Sequence, residues 1–237
     1  MKDLITFDNA KTTKGESLGW LTGILYLAPY TLSGRNVCPH ASPRCIEDCL
    51  NLAGMGIFDN VQQARIRKTQ LFHASPKAFV ERLDRDVTKA RRRATRARMR
   101  LAVRLNGTSD LPWENLGGEA KRSIINRHPD LTFYDYTKNP HRMAAFLDGK
   151  MPENYRLTFS RSEKNEDIAD GFIKRGGNVA VVFSTKKKDA LPETYLGAPV
   201  IDGDTHDLRF LDPRGVVVGL RAKGKAKTSR SDFVVAV

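Results

Sequence analysis

The chain alternates short apolar runs with longer amphipathic stretches. From Leu21 to Ala28 the residues are apolar and β-prone and end at Pro29, the pattern of a buried strand with a stop. Val61, Ala64, Ile66 and Leu71 recur at roughly helical spacing, and after Ser75-Pro76 a second helix begins with Phe79, Val80 and Leu83. It continues as a basic helix over 77–100. Short strand candidates follow at 101–105, 131–136, 155–159, 178–183, 199–201, 215–220 and 233–237. Between them the stretches 119–126, 142–147 and 166–174 read as helices, the last closed by Gly176-Gly177. Strand, helix, strand is the rhythm of a parallel sheet. The expected fold is therefore α/β, one domain over residues 1–237, with a complete or partial (β/α) barrel preferred to a doubly wound sheet. No repeat or linker breaks the pattern, and a basic loop at 223–232 precedes the final strand.

Composition narrows the class. The 237 residues are 40% hydrophobic, enough for a sizeable core, and contain no apolar run of membrane-spanning length. The start, Met1-Lys2-Asp3-Leu4-Ile5-Thr6-Phe7-Asp8, has acids where a signal peptide needs basic and then apolar residues, so a cytoplasmic location is expected. A net charge of +13 points to a polyanionic partner, nucleic acid first and DNA before RNA, through counterion release. Arg91, Arg92, Arg93, Arg96, Arg98 and Arg100 supply the densest candidate phosphate contacts, supported by Lys186-Lys187-Lys188 and by Lys223, Lys225, Lys227 and Arg230. The plain alternative is arginine stems covering apolar surface while their heads pair with distant acids.

All three cysteines lie in one loop after the first good strand, Cys38-x6-Cys45-x3-Cys49, with His40 between the first two. An odd number of cysteines in a reducing compartment is not a disulfide framework. Three thiolates and His40 would complete a tetrahedral zinc site; three thiolates alone would hold a [4Fe–4S] cluster with one iron open. A structural zinc knot and unliganded core cysteines are the plain readings. Loops at the carboxyl ends of parallel strands build active sites, which favours chemistry here.

Other polar groups fall at strand ends. Asn106-Gly107-Thr108-Ser109-Asp110 would stand at the same mouth, small residues admitting a ligand and Asp110 serving as base. Asp135 and Lys138 end another strand, Ser160 and Glu163 a third, and Asp202-Gly203-Asp204-Thr205-His206-Asp207 offers a hard-cation site or a base. Each taken singly also reads as a polar turn.

On these residues the chain resembles radical S-adenosylmethionine enzymes, whose usual spacing is Cys-x3-Cys-x2-Cys. It is more similar to a related phage three-cysteine family, in which a Cys-x6-Cys-x2-Cys loop containing Ser-Pro is followed by a strand ending in Thr-Lys-x-Pro and then an Arg. Here those residues read Ser42-Pro43 and Thr137-Lys138-Asn139-Pro140-His141-Arg142. The chain from about Trp20 to Lys225 also resembles a family of phage proteins, found in mycobacteriophages among others, with loops like Arg104-Leu105-Asn106-Gly107-Thr108-Ser109-Asp110. The resemblance implies a radical-SAM-like (β/α) barrel enzyme modifying nucleic acid or a nucleotide base. It places a [4Fe–4S] cluster on Cys38, Cys45 and Cys49, S-adenosylmethionine near Asn106, Gly107, Thr108, Ser109 and Ser160, and catalytic groups among Asp110, Asp135, Lys138, Glu163 and Asp202. A second resemblance is to the phage relatives of tRNA-guanine transglycosylases, (β/α) barrels with a Cys3His zinc site that insert 7-deazaguanines; it implies zinc on the cysteines and His40. That family carries its zinc motif late in the chain and an Asp-Ser-Gly-Gly-Phe signature that this sequence lacks. A zinc-stapled DNA-binding protein without catalysis is the third reading.

Overall fold

The computed structural model describes residues 3–7, 10–117, 122–229 and 231–237. In chain order the elements are β1 (Ile5–Thr6), α1 (Ala10–Glu16), β2 (Trp20–Leu25), α2 (Tyr30–Ser33), α3 (Pro43–Glu47), α4 (Asp59–Ala74), α5 (Pro76–Arg96), β3 (Arg100–Arg104), α6 (Ile124–Arg127) and β4 (Thr132–Thr137). They continue as α7 (Pro140–Leu147), β5 (Tyr155–Ser160), α8 (Glu166–Lys174), β6 (Val179–Phe183), β7 (Thr194–Tyr195), β8 (Ala198–Asp202), β9 (Val217–Arg221) and β10 (Val234–Val235). One ten-stranded sheet has the order β1-β2-β3-β4-β5-β6-β9-β8-β7, with β10 also on β6. It is parallel from β2 to β8 and carries antiparallel edge strands at β1 and β7. Its ladder does not close among the described residues.

The alternation within each strand sorts the two faces. Leu21 on β2, Leu101 and Val103 on β3, Phe133 on β4, Tyr155, Leu157 and Phe159 on β5 and Val179 and Val181 on β6 share the main core with α5, α6, α7 and α8. The other set, Trp20, Ala102 and Tyr134, packs with Leu208 and Phe210 from the segment after β8. That second face is polar at its centre: Arg104 pairs with Asp207 at 3.0 Å, and the Tyr134 hydroxyl donates to the same carboxylate at 3.0 Å.

α5 is amphipathic. Phe79, Val80, Leu83, Val87, Ala90 and Ala94 form its buried stripe, and it ends at Arg96. The basic helix expected over 77–100 is thus shorter: Arg98 takes a positive φ of 55° and Arg100 begins β3. The helix expected over 119–126 is observed as Ile124–Arg127, while residues 118–121 lie outside the described set. α8 coincides with the expected 166–174. β6 is paired with β5 on its amino half and with β10 on its carboxyl half, so the chain's end enters the gap where β5 and β6 diverge.

Candidate three-cysteine site

The loop between β2 and α4 crosses the carboxyl edge of the sheet. Ser42 caps α3, accepting from the Cys45 backbone N–H at 3.3 Å, and Pro43 occupies the first turn. Glu163, just beyond β5, ties this turn down: it accepts from Ser42 Oγ at 2.6 Å and from the Arg44 N–H at 3.2 Å. Burial opposes ionisation of Glu163, but these hydrogen bonds win and hold it below its ordinary value. Glu163 is therefore built in as a tether for the cysteine loop.

The loop after β3 holds the other side. Asn106 Oδ1 accepts from Ser109 Oγ at 2.8 Å, the Leu111 N–H at 2.9 Å and Trp113 Nε1 at 3.0 Å. Thr108 donates to the Leu27 carbonyl at 2.6 Å, and its own carbonyl lies 3.7 Å from Cys38 Sγ. A Cβ on Gly107 would stand 2.6 Å from the Tyr26 ring, so only glycine allows this approach. Of the five residues expected to bind a cofactor, Asn106, Gly107, Thr108 and Ser109 build this loop and Ser160 accepts from Lys138 across the sheet. Thr108 is the one that meets Cys38.

Asp110 accepts from Arg142 Nη1 at 2.7 Å and from the Lys138 N–H at 2.8 Å. Arg142 also grips Glu114 through two bonds of 2.7 and 2.8 Å and donates to Tyr155 Oη, which donates to Asp135 at 2.9 Å. Asp135 is fully buried and takes the Asn106 N–H at 2.7 Å; burial pushes it up to about 7. Lys138 Nζ donates to Ser160 at 2.6 Å and lies 5.5 Å from the centre of the Phe233 ring. Asp202 stands apart: it pairs with Arg221 at 2.8 Å, while Asp204 pairs with Lys223 at 2.7 Å and Asp207 with Arg104. The acidic run is divided among three cations, which disfavours the cation site expected there.

The three cysteines are half-buried and free of disulfides. Burial pushes the Cys38 thiol up to about 12, with further upward pressure from Cys49, Asp110 and Cys45 and relief from Lys138. Cys49 is raised chiefly by burial and eased by the Asn51 backbone N–H, Lys138 and Arg65. All three thiols, Asp110 and Lys138 therefore share one electrostatic neighbourhood. Cys45 packs against Ala222, Ala226, Phe233 and Val234 near the chain's end, and His40 is exposed. Among the described residues no group of three or more His, Cys, Asp or Glu side chains is arranged to hold a metal ion.

The arginines sit elsewhere. α5 ends where β3 begins, so Arg91, Arg92, Arg93, Arg96, Arg98 and Arg100 lie at the amino edge of the sheet, a strand length of about 17 Å from the cysteine edge. Arg91 pairs with Asp130 at 2.7 Å, Arg93 stacks on Phe7 at 4.4 Å and Arg100 on Trp20 at 4.1 Å. Arg92, Arg96 and Arg98 are exposed with no ionic partner among the described residues. The cysteine edge has its own cations, Arg44, Lys225 and Lys227, beside exposed Ile46, Leu50, Met55, Ile57 and Phe58.

Sequence reasoning missed Asn51 and Arg65. Arg65 reaches the loop from α4, 8% exposed, and its Nη1 donates to Asn51 Oδ1 at 2.6 Å. The signal was present in the stripe Arg65, Lys68, Thr69 and Phe72, which has helical spacing and is buried, but three of its four members are polar.

Fold and site together define an α/β protein whose cysteine loop crosses the carboxyl edge of a mostly parallel sheet, backed by a buried carboxylate and guanidinium network. The family model described as Gene product 88 matches residues 3–236, and the chain belongs to this phage-type family. No curated protein and no solved structure matches it. No helix among the described residues is long and apolar enough to cross a membrane.

Proposed function

We propose that the chain is a phage metalloenzyme of radical-SAM-like type, a partial (β/α) barrel acting on nucleic acid or a nucleotide base, DNA before RNA, in the cytoplasm of an infected host. The observation that carries this reading is that one loop after β2 holds Cys38, Cys45 and Cys49, with Cys38 against the Thr108 carbonyl of the loop after β3 and the turn at Ser42 tied to Glu163 beyond β5. Three soft thiolates suit iron–sulfur or zinc, and buried unpartnered donors beside Cys49, Asn51 Nδ2 and Arg65 Nε, fit an anionic centre there. Holding it requires Cys45 to turn from its apolar contact. When bound, a [4Fe–4S] cluster with an open iron would supply one-electron reduction of S-adenosylmethionine.

The chain's own groups have separable parts in this reading. Ser42 and Glu163 fix the loop, Thr108 fixes Cys38, and Arg142 with the Lys138 backbone N–H holds Asp110 in place. Lys138 Nζ and Ser160, hydrogen-bonded to each other at 2.6 Å beyond the ends of β4 and β5, are the polar groups this reading offers to substrate. Arg44, Lys225 and Lys227 attract a polyanion to this edge, while exposed Ile57 and Phe58 suit contact with unstacked bases. The test is anaerobic purification followed by reduction with S-adenosylmethionine present. Brown protein that cleaves it supports the proposal; colourless protein with stoichiometric zinc overturns the cluster.

A further inference from the structure

At the amino edge of the sheet α5 ends on a strained residue. The Met99 N–H donates to the Ala94 carbonyl at 2.9 Å and the Arg98 N–H to the Thr95 carbonyl at 3.0 Å, the pair of bonds that closes a helix through a left-handed residue. That residue is ordinarily glycine, and here it is Arg98 at φ 55°. The helix dipole favours a cation in the last turn, which accounts for the charge but not for an arginine where glycine fits without strain. Arg98 is exposed, and like Arg92 and Arg96 it has no carboxylate partner among the described residues.

The next residue, Met99, borders a cleft of about 200 Å³ that Arg91, Arg100, Trp20, Asp130 and Thr132 also line. Asp130 is the one carboxylate of that lining and is already paired with Arg91 at 2.7 Å. Arg100 stacks 4.1 Å from the centre of the Trp20 ring and has no carboxylate partner among the described residues. Trp20 is 6% exposed, and its Nε1 is buried with no hydrogen-bond partner, where an indole N–H ordinarily finds an acceptor. The cleft is smaller than the roughly 300–1,000 Å³ of a small-molecule pocket, so it fits one group of a longer chain. Guanidinium forks in excess over carboxylates, beside an N–H donor in want of an acceptor, match a phosphate. We propose that this edge is a phosphate-binding site for the backbone of a nucleic acid, with one phosphate seated against Arg91, Arg100 and Trp20 and its neighbours met by Arg92, Arg96 and Arg98. It stands a strand length of about 17 Å from the cysteine edge and shares only the polyanionic partner with the function proposed above. Contacts of this kind hold a chain in register and carry no base preference.

The experiment measures binding of fluorescein-labelled single-stranded and duplex DNA and RNA oligonucleotides across salt concentrations, with melting temperature alongside. It compares wild type, Arg98→Gly, Arg98→Lys and the double variant Arg91→Gln, Arg100→Gln. Arg98→Gly should melt about 2–4 °C higher as the strain is relieved. It should nonetheless bind about 5–8-fold more weakly at about 0.1 M salt, with a log–log slope shallower by about 0.7–0.9. Arg98→Lys should keep the wild-type slope without the gain in melting temperature, and the double variant should bind about 25–60-fold more weakly. Wild-type affinity and slope in Arg98→Gly and in the double variant overturn the inference, whatever happens to stability. A wild type that binds none of the oligonucleotides overturns it together with the polyanionic partner, whereas a wild type that carries no metal but shows these losses supports it and overturns only the function proposed above.

Discussion

Both oxygens of Asp110 are engaged by donors from different elements, Arg142 of α7 and the Lys138 backbone beyond β4. Asp110→Asn turns one accepting oxygen into a donor facing a donor, so it should cost about 1–3 kcal/mol of stability, measurable by urea denaturation. Arg142→Met should cost more, about 3–5 kcal/mol, since it strands the buried carboxylates of Asp110 and Glu114 together. Equal and negligible effects would remove the network from the account. Asp135, pushed up to about 7 by burial, sets a pH signature. Its folded-state value lies above the ordinary value of about 4, so its stabilising contribution is full below pH ~4 and is lost as pH rises toward about 7. The melting-temperature gap between Asp135→Asn and wild type should therefore shift in favour of the variant from pH 4 to 7 and stay level above. A gap independent of pH would contradict the shift.

The two long helices show what pattern reading could and could not supply. α5 and α8 are legible because apolar residues outnumber polar ones on the inward stripe: Phe79, Val80, Leu83 and Val87 in one, Ala169, Phe172 and Ile173 in the other. α4 was placed correctly and turned wrongly. Its expected inward residues Val61, Ala64, Ile66 and Leu71 are only partly buried, while Arg65, Lys68 and Thr69 go inside because their partners, Asn51, the Leu4 carbonyl and the Ala28 N–H, come from remote segments. The short edge strands β1 and β7, two residues each, carry too little pattern to be seen. On α5 the unpaired arginines give a prediction. Reversing Arg92, Arg96 and Arg98 to Glu should flatten the salt dependence of any nucleic-acid binding that uses this face, at unchanged melting temperature. Arg93→Glu should instead lower the melting temperature by losing its stacking on Phe7. An unaltered slope in the triple variant would assign binding to the cysteine edge.

Across the whole molecule the two candidate surfaces stand at opposite edges of one sheet, which the sequence could not reveal because proximity in the chain says nothing of which end of a strand a residue reaches. The cysteine loop itself was legible from the clustering of Cys38, Cys45 and Cys49 after a strand, and so was its neighbour Asp110. The tethering roles of Asn106, Ser109 and Glu163 were not, since a polar turn that binds protein and one that binds a ligand have the same composition. The α/β class and mostly parallel sheet follow from alternation, whereas the insertion of β10 beside β6 depends on contacts made after the chain has crossed the sheet. The central claim is that the three thiols make one metal centre. Metal and acid-labile sulfide content, measured on anaerobically purified wild type and Cys45→Ala, tests it most directly: wild type should carry a stoichiometric centre and the folded variant should be empty, whereas full metal content in Cys45→Ala would contradict the account.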